Sequence, residues 1–81
     1  MHAKVLVTLR PGVLDPAGQA VADGLRQLGF GEVLGVRIGK VLEIELDDAS
    51  GPEARARLEE MSQKLLANTV IEQFEVELGD S

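Results

Sequence analysis

A chain of 81 residues makes one domain at most, because area scaling lets a protein of this size bury only about 60% of the surface of its unfolded chain. Hydrophobic residues at 44% and charged residues at 27% describe a folding globular domain and exclude a disordered tail, while the thin core leaves room for a partner subunit. The net charge of −6, with two aromatics and no cysteine, lacks the cationic stacking surface of a nucleic-acid binder and excludes disulfides, thiolate metal sites and a cysteine nucleophile.

Val5-Leu6-Val7-Thr8-Leu9 is apolar on both faces and β-branched, and Arg10-Pro11-Gly12 stops it, so it reads as a central strand. Asp15-Pro16 supplies a capping acceptor followed by proline at the first helical position, where no N–H is needed. Ala17, Val21, Leu25 and Leu28 then recur as one stripe, predicting a helix over 16–28 that Gly29 closes.

Leu34, Val36 and Ile38 alternate with Val33, Gly35 and Arg37, and Leu42, Ile44 and Leu46 alternate with Glu43, Glu45 and Asp47. These predict two half-buried strands joined by a hairpin with Gly39-Lys40 at its tip. Ser50 and Glu53 fit a capping box. After it Ala54, Leu58, Met61 and Leu65 predict a second helix over 52–67, ending at a left-handed Asn68. Phe74, Val76 and Leu78 predict a last strand over 70–78, with 79–81 a frayed tail.

The order β-α-β-β-α-β predicts a single α+β domain over 1–81. The fold class is a ferredoxin-like, split β-α-β sandwich with a four-stranded, mainly antiparallel sheet and two helices on one face. Its predicted core sets Val5, Val7, Leu9, Val36, Ile38, Leu42, Ile44, Phe74 and Val76 against Val21, Leu25, Leu28, Leu58, Met61 and Leu65.

Residue chemistry gives little support for a self-sufficient enzyme. His2 is the single histidine and stands at a terminus, too little for a transition-metal site or a catalytic base. Glu43, Glu45, Asp47, Glu75 and Glu77 read as a solvated sheet face paired with Lys4, Arg10 and Arg37 rather than as a cation site. The glycines match neither phosphate-binding spacing, and Thr8, Ser50 and Ser62 have no evident base. The absence of a membrane-length apolar run and of a signal-peptide h-region makes the cytoplasm the expected location.

Leu14-Asp15-Pro16-Ala17-Gly18-Gln19-Ala20-Val21, Val36-Arg37-Ile38-Gly39-Lys40 and Lys64-Leu65-Leu66-Ala67-Asn68-Thr69-Val70-Ile71-Glu72 closely resemble the PurS family, the small subunit of phosphoribosylformylglycinamidine synthase. The resemblance covers about 2–78, departing at Thr69, where the family usually has proline, and at Met61-Ser62-Gln63. It implies a non-catalytic subunit of a ligase in purine biosynthesis, with no cofactor of its own. ATP and magnesium would belong to the large synthetase subunit, and this chain, as a dimer or tetramer, would bridge that subunit and the glutaminase and support ammonia transfer. The clustering of family motifs suggests subunit contacts at Arg10, Leu14, Asp15, Pro16, Gly18, Arg37, Gly39, Lys40, Leu65, Leu66, Ala67 and Asn68. The alternative is an ACT-like regulatory domain that binds a small molecule.

Overall fold

The computed structural model describes residues 1–79, apart from the side chains of 48–50. Strand β1 (His2–Leu9) leads to helix α1 (Pro16–Gln27), strand β2 (Gly39–Glu45), helix α2 (Ala54–Met61) and strand β3 (Glu72–Gly79). Among the described residues the architecture is α+β: a three-stranded antiparallel sheet in the order β2-β1-β3, with two α-helices.

The apolar β1 is central, as its composition predicts, and its alternate residues Ala3, Val5 and Val7 are buried on one face. Val76 of β3 extends that face beside Val5, Leu58 and Ala67 pack against it, and Leu42, Ile44, Leu46, Met61, Leu66 and Phe74 surround this cluster. Arg55 of α2 also donates from Nη1 to the Val76 carbonyl of β3 at 3.1 Å. β1 begins at His2, opposite both Glu45 and Gly79, so neither His2 nor Gly79 is frayed; Asp80 and Ser81 lie outside the described residues.

The fourth strand is not formed. Residues 33–38 have strand-like alternation, but their backbone groups are committed elsewhere: the Arg26 guanidinium takes the Val33 and Leu34 carbonyls at 2.9 and 3.0 Å, and the Ile38 N–H donates to Asp15 at 2.8 Å. Gly39 therefore opens β2 opposite Thr8 instead of turning a hairpin. The expected four-stranded sheet becomes three.

The packing of α1 also differs from expectation. Asp15 caps the helix and Pro16 begins it, as predicted, and Gly29 follows its end with φ 105°. Yet the buried residues are Gly18 and Ala22, while Val21 and Leu28 are 44% and 76% exposed. Helix α1 rests on residues 33–37 and makes only slight contact with the sheet. Thus only α2 covers the sheet face, and Ile38 and Leu65 are exposed rather than core. The radius of gyration, 16.1 Å, exceeds the roughly 12 Å of a compact chain of this length.

The second helical region is composite. A 3-10 stretch over Asp48–Glu53 precedes α2, and the side chain of Ser50, proposed for a capping box, lies outside the described set; Glu53 itself caps α2 without a side-chain hydrogen bond. Past Met61 the backbone widens into a π-type turn over Ser62–Leu66, where the Ala67 N–H reaches the Ser62 carbonyl at 2.9 Å. Ser62 is fully buried and its hydroxyl donates to the Leu58 carbonyl at 2.8 Å. The helix ends on extended Ala67 rather than a left-handed Asn68, since no described non-glycine residue has positive φ.

Leu58 is the largest fully buried side chain, on the one helix that seals the sheet. Truncating Leu58→Ala is expected to destabilise the fold by about 2–5 kcal/mol in denaturant unfolding. A change under 0.5 kcal/mol would contradict this placement of the core.

Candidate functional site

Eight of the twelve suggested contact residues gather where α1 joins the sheet. Pro11 and Gly12 turn the chain after β1, with the Val13 N–H donating to the Arg10 carbonyl at 3.1 Å. Gly12 takes φ 88°, the left-handed third position of a type II turn that favours glycine. The Arg37 guanidinium clamps this turn from the other linker, donating to the carbonyls of Val13 at 2.9 Å, Arg10 at 3.0 Å and Leu9 at 3.4 Å.

Asp15 is the second tie. Its Oδ1 accepts from the Gly18 N–H at 2.8 Å, which caps α1, and its Oδ2 accepts from the Ile38 N–H at 2.8 Å. The hydrogen bond from Ile38, then that from Gly18, hold its carboxyl below the usual aspartate range against a desolvation effect, and the Arg37 charge adds to them. Gly18 lies so close to the Val36 carbonyl that a Cβ there would collide with it, so α1 can rest on this segment only without a side chain at that position.

The remaining four residues form the end of the helical region beyond α2. The Asn68 N–H donates to Glu72 Oε1 at 2.7 Å, and the Asn68 carbonyl accepts from Ile71 and Glu72 at 3.0 and 2.7 Å. Arg10 joins the two groups: its N–H donates to the Ile71 carbonyl at 2.9 Å and its Nε to the Thr69 carbonyl at 3.0 Å. The Thr69 N–H takes part in none of these bonds, so the lead-in to β3 is held without it.

These contacts sort the twelve. Arg10, Asp15, Arg37 and Asn68 make internal hydrogen bonds, Gly18 and Ala67 are buried, and Leu66 packs against the core. Pro16 begins α1 and Gly39 begins β2. Leu14, Lys40 and Leu65 face solvent. Arg26, which sequence reasoning passed over, holds the segment that fails to become a strand; its signal was a basic residue in the last helical turn ahead of a glycine-rich stretch.

The open face of the sheet centres on Lys4, which the register sets between Glu43 and Glu77, with His2 Nε2 3.5 Å from Glu45 Oε2. Arg10 and Arg37 do not join that face as expected, because their guanidinium groups serve the turns. Among the described residues no group of three or more histidine, cysteine, aspartate or glutamate side chains is arranged to hold a metal ion, and no helix is long and apolar enough to cross a membrane.

A family model described as PurS, phosphoribosylformylglycinamidine (FGAM) synthase, matches residues 2–80. The chain belongs to the PurS family. It is 52% identical to the PurS subunit of phosphoribosylformylglycinamidine synthase from Synechocystis sp., over 90% of this chain and 73% of that protein. In structure it is similar to Bacillus subtilis PurS, with a TM-score of 0.86 at 42% identity and 98% of each chain covered. A structure of PurLQS from Thermotoga maritima matches at a TM-score of 0.74 and 31% identity, covering 96% of this chain and 99% of that one.

The two ties make separate predictions. Because Asp15 has a lowered pKa, its contribution is present above the unfolded value and is lost as pH falls through the folded value, below about pH 4. The amide protection factors of Gly18 and Ile38, corrected for intrinsic exchange, should fall in that window, whereas in Asp15→Asn they should already be low at neutral pH; unchanged protection in the variant would refute the tie. Gly18→Ala should expose residues 33–37 to exchange while the amides of β1 stay protected. Equal loss of protection in both would show that α1 and the sheet are one cooperative unit.

Proposed function

We propose that this chain is the non-catalytic small subunit of phosphoribosylformylglycinamidine synthase. It bridges the glutaminase and the large synthetase subunit and supports ammonia transfer in the ATP-dependent conversion of formylglycinamide ribonucleotide to formylglycinamidine ribonucleotide. The observation that carries the reading is family membership over nearly the whole chain, joined to similarity with a chain of the Thermotoga maritima PurLQS structure. In this reading the subunit works in the cytoplasm as a homo-oligomer, and ATP and magnesium sit on the large subunit.

A bridging subunit needs shape and contact more than reactive groups. Ammonia passed between two active sites stays unprotonated only while both sites are held in one assembly. The internal ties at Asp15, Arg37 and Arg10 give this chain a fixed outline. Leu14, Lys40 and Leu65 are then the family-motif residues positioned to meet another subunit.

Synthase activity reconstituted with the large subunit and glutaminase, with and without this chain, tests the role. Glutamine-dependent turnover should require the chain, and turnover at high ammonia should be largely independent of it. An equal effect on both, or on neither, would overturn the bridging role. Lys40→Glu is expected to weaken complex formation at unchanged circular dichroism; undiminished assembly would remove Lys40 from the contact surface.

A further inference from the structure

We propose that Arg55 closes the outer edge of β3 to the addition of a foreign strand, so that the sheet presents one free edge instead of two. Backbone alternation shows which groups form that edge. Met1 and Leu46 exchange both of their backbone hydrogen bonds, at 2.8 and 3.2 Å, so the odd residues of β1 turn their peptide groups toward β2 and the even ones toward β3. The register then points the peptide groups of Gln73, Glu75 and Glu77 inward and those of Glu72, Phe74, Val76 and Leu78 outward.

Two of these outward residues are already occupied. The Val76 carbonyl accepts from Arg55 Nη1 at 3.1 Å in a partly buried contact, and the Glu72 N–H donates to the Asn68 carbonyl at 2.7 Å. They alternate with Phe74 and Leu78, so an arriving strand finds no two neighbouring outward residues with all their groups free. Among the described residues no side chain guards β2 in this way, at its outward residues Val41, Glu43 and Glu45.

The position of Arg55 serves the sheet and not its own helix. It is the second residue of α2, where a cation opposes the helix dipole, and among the described residues it pairs with no carboxylate. The edge it covers is one that invites pairing: Phe74, Val76 and Leu78 alternate with Gln73, Glu75 and Glu77 in a strand without proline. Glu75 and Glu77 repel a second β3, but salt screens that repulsion, and it does not act on a neutral or basic strand. A guanidinium standing on the edge excludes them all. A sheet with two competent edges adds chains without limit, because each newcomer brings a fresh edge, whereas closing one edge ends the series.

Arg55→Met, which keeps the apolar stem and removes the donors, tests the guard at high salt, where charge repulsion is weak. It should form thioflavin-T-positive aggregates about tenfold faster than the wild-type chain, at a temperature where the two have the same circular dichroism. Lys4→Met, the same loss of charge on the open face, should behave as the wild type. Adding Leu78→Pro to Arg55→Met removes an outward N–H without touching the bonds to β1, and should restore the dispersed state. Aggregation of Arg55→Met no faster than wild type would overturn the guard. So would equal aggregation of Lys4→Met, or a double variant that aggregates as fast as Arg55→Met alone, since these place the effect in net charge or in lost stability and not at the edge.

Discussion

The carboxylate of Asp15 accepts from two backbone N–H groups, that of Gly18 in the first turn of helix α1 and that of Ile38 in the segment beyond the helix. Arg37 completes the arrangement by gripping three carbonyls of the stretch that leaves β1. Together they set the direction in which α1 departs, and most of the molecule's shape follows. Because α1 is held against residues 33–37, that segment cannot pair along β2, the sheet stops at three strands, and α2 alone shields the apolar face.

The electrostatics of this junction are those of capping rather than catalysis. A carboxylate satisfied by two amide donors is a poor base, and a guanidinium occupied by three carbonyls is a poor substrate clamp. The chemically conspicuous residues of the family-like motifs are thus occupied in holding backbone. That arrangement suits a subunit whose contribution to an enzyme complex is a defined surface.

Local features of the chain were legible in the sequence where the signal was steric or periodic. Val5 to Leu9 announced the central strand, Asp15-Pro16 the start of α1, and Phe74 and Val76 the inward face of β3. Residues 33–38 misled because alternation reports which faces could be buried, not where the backbone hydrogen bonds go, and those were taken by Arg26 and Asp15. The stripe of α1 misled for a related reason: amphipathicity promises a partner surface without saying that it belongs to the same chain. Of the suggested contact residues, proximity in the fold was foreshadowed by the motifs, but the internal duties of Arg10 and Arg37 depend on long-range geometry that spacing does not encode.

The register places His2 beside Gly79, so the central strand receives its second neighbour from the far end of the chain. During synthesis β1 leaves the ribosome ahead of β3, so its pairing on that side waits until residues 72–79 have been made. Until then an apolar strand with a bare edge is exposed to whatever else is nearby. Closure of the sheet therefore rests on non-local contacts, and the interval before it is when a neighbouring chain or a chaperone has most influence on this subunit.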